Sequence, residues 1–322
     1  MQAEVAKEVL RVSDVIKHYK ERKAFKHTKI KSVDGVSFTL NKGEILGIIG
    51  ESGCGKSTLG KVLVKLEDAT SGDIQINGTS VEALFKQNEL QFRRTVQMIF
   101  QNPFDTFDPR YSIAKILTNV MKLHKIGANE EERMEISKQR LEEAGLKPAE
   151  DFLHRYPHEL SGGQLQRISI LRSMLLNPSF IVADEPVSML DVSIRADIIN
   201  MLKKICDNHQ TAMVFISHDI TTTRYISDRI AVMYLGRIVE TGATDEVLHN
   251  PKHPYTQALI SNSSYIEEEE VIQLNGEPPT PNHNHSGCYF YQRCYKRKSS
   301  CQNGYPETID LGDGHLVSCP HG

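Results

Sequence analysis

The sequence predicts an α/β layered fold, and three observations carry that expectation. Short β-branched runs alternate with longer helical patterns from Val9 to about Gly242. Residues 44–50, 95–100, 180–184 and 212–217 read as strands, and three of them are nearly continuous apolar runs, the pattern of strands covered on both faces. A glycine-rich turn, Gly50-Glu-Ser-Gly-Cys-Gly-Lys-Ser-Thr58, joins the first of these strands to a helical pattern over 57–66.

The elements follow in order. Between Asp105 and Leu160 the pattern turns helical, with stretches over 114–124 and 130–144, so a helical subdomain spanning about 105–175 is inserted in the α/β core. An apolar strand, Phe180-Ile-Val-Ala-Asp-Glu185, and the run at 212–217 complete that core. Beyond Thr241 the character shifts. Residues 251–322 are rich in Pro, Asn, His and Cys, with an acidic run at 267–270 and the turn-prone Gly276-Glu-Pro-Pro-Thr-Pro281. The expected division is therefore a domain over 1–250 and a loop-rich extension over 251–322. No repeat of 20–50 residues is present.

A chain of 322 residues is long enough for about two domains at roughly 150 each. Its 38 Lys+Arg against 41 Asp+Glu give a net charge of −3, too balanced for a general grip on nucleic acid. The basic run at 17–31, seven Lys/Arg against one Glu, reads as a solvated loop, with a contact to lipid headgroups or nucleotide phosphate as the alternative. No apolar stretch approaches the ~18 residues of a membrane helix, and the start lacks the apolar segment of a signal peptide. Any contact with a membrane is then expected through a partner or a surface.

The nine-residue turn fits the phosphate-binding pattern G-x-x-x-x-G-K-[ST] in the strand–loop–helix setting that the chemistry needs. Glycines 50, 53 and 55 let successive N–H groups converge on one phosphate, and the helix N-terminus adds its positive end. Lys56 is placed to neutralise β- and γ-phosphate oxygens, and Ser57 to coordinate Mg²⁺. Glu51, Ser52, Cys54 and Thr58 complete the loop, Cys54 as a small filler. Asp184 ends its strand where it can hold Mg²⁺, and Glu185 can orient or deprotonate an attacking water. A second anion site is expected where Leu160-Ser-Gly-Gly-Gln-Leu-Gln-Arg167 opens a helix.

That octapeptide resembles the signature of ATP-binding-cassette ATPases, and the resemblance extends in order and spacing over residues 9 to about 242. It implies the cassette fold of the phosphate-loop NTPases, ATP and Mg²⁺ as ligands, and ATP hydrolysis. It further implies that Tyr19 stacks on adenine, that Gln101 in Ile99-Phe-Gln-Asn-Pro103 is the glutamine-loop residue at the metal and the water, and that His218 in Ile216-Ser-His-Asp219 is the switch histidine. Asp191 takes the place of the D-loop aspartate. Ser161, Gly162, Gly163 and Gln164 would then close over a nucleotide held by the loop of a second cassette. Close relatives usually carry Ser-Ala-Leu-Asp at the D-loop; here it reads Ser188-Met-Leu-Asp191.

The extension narrows the resemblance. Asn250-Pro-Lys-His-Pro-Tyr-Thr-Gln-Ala-Leu259 and the cysteine spacing C-x5-C-x6-C-x17-C are similar to the ATPase subunits of bacterial oligopeptide, dipeptide and nickel importers. Spacing alone supports only four thiolates at one metal centre, zinc or iron–sulfur, at Cys288, Cys294, Cys301 and Cys319. The resemblance implies a [4Fe–4S] cluster. His283, His285, His315 and His321 read as surface residues. The family further implies a second ATPase subunit, a paralogue paired head to tail, two integral-membrane permease subunits, an extracytoplasmic solute-binding protein, and a peripheral place on the cytoplasmic face of the membrane. Oligopeptide or dipeptide is the expected solute, with a nickel or other metal chelate or glutathione as alternatives. A soluble cassette acting on DNA or ribosomes is the rival class.

Overall fold

A computed structural model of the chain describes residues 7–23, 26–262, 271–274, 276, 279 and 287–321. The acidic run at 267–270, His283, His285 and most of the turn at 276–281 lie outside the described residues. The chain forms two compact units, one from residues 1–81 and 214–322, the other from 82–213.

In the first unit, β1 (Glu8–Lys23) and β2 (Lys26–Asn41) pair antiparallel, and β3 (Ile45–Ile49) leads into α1 (Lys56–Leu63), followed by β4 (Ser71–Ile76) and β5 (Thr79–Ser80). From Val81 onward come α2 (Val81–Gln87), α3 (Glu89–Thr95), β6 (Val96–Ile99), α4 (Ile113–Leu123), α5 (Glu130–Glu143), α6 (Ala149–Leu153), α7 (Gly162–Met174), β7 (Phe180–Asp184) and α8 (Val192–His209). The division between the units falls on β8 (Ala212–Ile216). The chain then returns to the first unit with α9 (Ile220–Ile226), β9 (Arg229–Tyr234), β10 (Arg237–Ala243), α10 (Thr244–His249), α11 (Pro254–Ser261), β11 (Ile309–Asp310) and β12 (Leu316–Val317).

The first unit carries two sheets. One is antiparallel in the order β2-β1-β4-β5; in the other, β11-β12-β10-β9-β3 lie side by side. The β3–β9 pair is parallel with Gly47 opposite Ile230, and every residue of β3 is buried, as its unbroken apolar run requires. The long β1–β2 ribbon corrects the loop expected over the basic run. Described residues of that run pair across the ribbon, Tyr19 opposite Ile30 and Lys20 opposite Lys29, and Lys17 bonds the Asp68 carbonyl at 2.8 Å. An antiparallel ribbon can solvate one face, so lysines do not exclude it.

In the second unit β6 and β7 are parallel, with Met98 opposite Val182. Helices α4 to α7 enclose a core of Ile113, Leu117, Met121, Leu141, Leu153, Leu165 and Ile168, which is the expected helical subdomain. Each of α3, α4 and α5 starts at a polar cap: Asn88, Ser112 and Asn129 accept from a backbone N–H three residues on.

The extension is more than an appendage. Tyr289 and Phe290 are buried in one cluster with Ile49, Val232, Tyr234 and Tyr255, and β12 adds to the edge of β10 with Val317 opposite Glu240. The buried Glu240 carboxylate accepts from the N–H groups of Lys252 and His253 and meets His315 Nε2 at 2.8 Å. His315 is therefore a core residue, contrary to the surface position expected: its ring is buried with Nε2 on Glu240 and Nδ1 3.6 Å from Glu246 Oε1, and burying a polar ring without such partners would be costly.

Candidate nucleotide-binding site

The phosphate loop is shaped by backbone that only glycine tolerates. Gly50 has φ +155° and Gly55 φ +109°, and a Cβ on them would lie 2.2 Å from the Met233 carbonyl oxygen and 2.0 Å from that of Ser32. Gly53, at φ +78°, meets nothing and serves the turn alone. Gly55 is the N-cap of α1 and no side chain caps that helix among the described residues. The first N–H groups of a helix have no intrahelical acceptor, so the start of α1 is a candidate anion site. Lys56 is buried, and its Nζ donates to the carbonyls of Gly50 at 2.7 Å and Glu51 at 3.1 Å.

Around this loop the first unit places several expected residues. Cys54 is buried, and desolvation pushes its thiol up despite the adjacent Lys56, so it stays a neutral filler. Ser52 and Ser57 are exposed at the mouth. Tyr19 is half-buried, donates to Glu67, lies under Lys17 Nζ at 5.0 Å from its ring, and interacts with the Thr58 hydroxyl, which puts it beside the end of the loop. His218 is exposed just after β8.

The second unit brings Gln101 and Glu185 together. Gln101 Nε2 donates to Glu185 Oε2 at 2.9 Å and reaches Ser188 Oγ at 3.3 Å, while Ser188 Oγ donates to the Glu185 carbonyl at 3.1 Å. Glu185 follows the buried Asp184 with φ +45°, a strained backbone for a non-glycine residue, of the kind retained where geometry serves a site. Sequence reading missed Ser188, whose role as a brace is visible only once the turn is folded.

The D-loop residue Met189 is 62% exposed, so the larger side chain strains no packing in this chain. Asp191 is exposed at the N-cap of α8. At α7, Ser161 and Gln164 form a capping box: Gln164 N donates to Ser161 Oγ at 3.3 Å and Ser161 N to Gln164 Oε1 at 3.1 Å. Gly163 is packed so closely on Ile194 that a Cβ would lie 2.7 Å from its Cγ2, whereas Gly162 has room.

Cys288, Cys294, Cys301 and Cys319 are free thiols, and all four line one cavity with His253, Pro254 and His321. Cys288 N donates to the Cys301 carbonyl at 2.8 Å, tying the two ends of the loop. Burial first, and repulsion from the other three sulfurs second, push the Cys288 thiol up to about 11. Burial drives the neighbouring His253 down to about 3, where it is a neutral acceptor for Tyr255 N. Among the described residues no three His, Cys, Asp or Glu side chains stand close enough to hold a single metal ion. The four sulfurs share a cavity, but the expected metal centre is not supported by an ion site among the described residues.

A glycine loop with a buried lysine, a strand ending in two carboxylates and a capped Ser-Gly-Gly helix define a nucleotide-hydrolysing cassette. Residues 33–188 match the ABC transporter family model and residues 239–301 that of the oligopeptide/dipeptide transporter C-terminal region. The chain belongs to the ATP-binding subunits of ABC transporters that carry this C-terminal region. It is 42% identical over 316 residues to the putative oligopeptide transport ATP-binding protein YkfD of Bacillus subtilis, covering 97% of this chain and 94% of that one. It is 42% identical to the di/tripeptide transport ATP-binding protein DppF of Pseudomonas aeruginosa, over 97% of both chains. With DppF of Escherichia coli, a dipeptide transport ATP-binding protein, the identity is 39% over 99% of this chain and 96% of that one. Among solved structures, the ATP-binding cassette MJ0796 bound to ADP and Pi superposes with a TM-score of 0.64 at 26% identity, over 73% of this chain and 98% of that chain.

Membership carries ATP hydrolysis as the activity, ATP and Mg²⁺ as ligands, and pairing with another cassette and with membrane subunits. No helix among the described residues is long and apolar enough to cross a membrane.

Proposed function

We propose that this chain hydrolyses ATP to energise import of oligopeptides or dipeptides. The match of residues 239–301 to the oligopeptide/dipeptide C-terminal region carries the solute class, and the names of the relatives agree with it. The complex would comprise this subunit, a paralogous second cassette and two integral-membrane permease subunits, supplied by an extracytoplasmic binding protein. The chain would lie peripherally on the cytoplasmic face. No nucleic acid takes part.

In this reading Gly50–Thr58 cradles the phosphates and Tyr19 lies under the adenine. Ser57, Asp184 and Gln101 would hold Mg²⁺, which screens the phosphate charge. Glu185 accepts a proton from the attacking water, and His218 donates to the γ-phosphate. Ser161–Gln164 of each cassette closes over the nucleotide of the other, with Asp191 at that junction. The γ-phosphate then acts as an electrostatic clamp, and its loss lets the pair open. The Gln101–Glu185 bond supports the assignment, since one change at either residue is felt at both.

Glu185→Gln keeps the shape and removes the base. Turnover should fall by roughly 10²–10⁴, and ATP-bound closed dimer should accumulate on size exclusion. Wild-type hydrolysis in this variant would remove Glu185 from the role.

Cys288, Cys294, Cys301 and Cys319 would hold a [4Fe–4S] cluster. What supports this reading is that four thiols outside any disulfide line one cavity, which suits a four-thiolate group. When bound, the cluster would supply a one-electron centre and a covalent clasp for the extension. Anaerobically purified protein should be brown and contain iron; colourless protein with stoichiometric zinc would refute the assignment.

A further inference from the structure

A bridge of hydrogen bonds runs from the cysteine-bearing extension into the phosphate loop. Residues Tyr291–Arg293 form a single 3₁₀ turn that ends at Cys294. From it the buried Arg293 guanidinium clasps the Glu51 carboxylate with two bonds, Nη1 to Oε2 at 2.6 Å and Nη2 to Oε1 at 2.9 Å. The planar fork matches a carboxylate in a way that lysine cannot. Glu51 is held by its backbone as well. Its N–H donates to the Tyr255 hydroxyl at 2.9 Å, and its carbonyl accepts from Lys56 Nζ at 3.1 Å. Tyr255 itself is fully buried on α11, with its ring 4.6 Å from that of Tyr234 and 5.4 Å from that of Phe290.

The second residue of the loop is therefore fixed at its carboxylate and its amide by residues that lie beyond position 250. Neither contact is needed to form the loop's turn, which the glycines supply. Both determine where Glu51 sits, and so where the amides that follow it point. Resting on the nucleotide-site reading above, we propose that Arg293 is a positioning residue for ATP binding, through which the C-terminal extension sets the conformation of the phosphate loop.

A loop ordered before nucleotide arrives binds more tightly than one the nucleotide must order, and the coupling is reciprocal. The effect should appear in affinity and KM and leave the chemical step alone, because Arg293 touches neither the water nor the γ-phosphate in this assignment. Couplings of this kind are typically about 5- to 150-fold.

Isothermal titration of Mg·ATP into the full-length chain tests this. Arg293→Ala should raise Kd about tenfold to hundredfold. Arg293→Lys, keeping the charge but losing the fork, should give an intermediate value. Glu51→Ala added to Arg293→Ala should change Kd by less than about twofold, since the bridge is already broken. In the assembled transporter KM for ATP should rise with kcat within about twofold.

A folded Arg293→Ala protein with wild-type Kd and KM would overturn the proposal, whatever its thermal midpoint, because a merely structural contact would lower the midpoint alone. Should Arg293→Ala not fold, Arg293→Lys and Glu51→Gln decide: a raised Kd in both supports the proposal, and wild-type Kd in both overturns it. Loss of ATP binding by the wild-type chain would be a failure of the nucleotide-site reading instead.

Discussion

The two helix N-termini offered as anion sites differ in how their amides are satisfied. At α1 the N-cap is Gly55, no described side chain caps the helix, and the adjacent Lys56 is folded back on the loop carbonyls of Gly50 and Glu51. At α7 the N-cap is Ser161, and it trades hydrogen bonds with Gln164. The first terminus has no side-chain cap among the described residues. The second is satisfied within its own chain, so a phosphate must compete with the capping box before it gains anything there. In the proposed composite ATP site the difference separates the two halves: α1 would receive phosphate within one chain, and α7 would need the closed pair to repay what it gives up.

The glycines allow the largest test of that contrast. Gly55→Ala forces a side chain into φ +109° and to 2.0 Å from the Ser32 carbonyl oxygen, which should cost on the order of 3–5 kcal/mol and shift the urea midpoint sharply down. Gly162→Ala meets only Leu190 Cδ2 at 3.7 Å, an ordinary contact, and alanine is the better helix former. Its stability should be unchanged or rise by about 0.5 kcal/mol, while ATP-dependent pairing falls. Equal destabilisation by the two substitutions would show that both termini are rigidly specified and would break the comparison.

How much of this was legible in advance follows from the range of each interaction. The strand Ile45–Ile49, the loop and α1 are contiguous, so a local pattern carried both their shape and their chemistry. The runs at 180–184 and 212–217 became β7 and β8 nearly residue for residue, since full burial leaves an unambiguous signature, and the run at 95–100, with Gln97 half-buried, became the shorter β6. The β1–β2 ribbon was hidden because Lys17, Lys20 and their neighbours break the alternation that marks a strand, and its register is set by a partner strand rather than by local preference. His315 read as a surface residue for the same kind of reason: its carboxylate, Glu240, is 75 residues away. Arg293 was likewise invisible, 242 residues from Glu51, with only the neighbouring Cys294 to draw attention to it. Contacts that depend on chain reversal leave no pattern at either end.

Side-chain chemistry gives a finer test than the backbone does. Lys56→Ala removes the one buried cation of the loop, and hydrogen bonds to charged groups are worth about 1.5–3 kcal/mol each, so ATP affinity of the lone chain should fall on the order of 10²-fold. Ser161→Ala removes the cap of α7, for which the usual loss is about 0.5–2 kcal/mol of stability, and should leave lone-chain ATP affinity within about twofold. Both are read by the same titration, with thermal melts to separate stability from binding. The Ser161 variant should show its defect only when a second cassette is present, as slower ATP-driven pairing. If it weakened binding by the lone chain as much as the lysine change does, α7 would have to face a nucleotide without a partner, and the capping box would be no barrier to it. If instead neither variant altered binding, the phosphate would sit elsewhere than at α1, and the buried lysine would be a structural strut for the carbonyls it already holds.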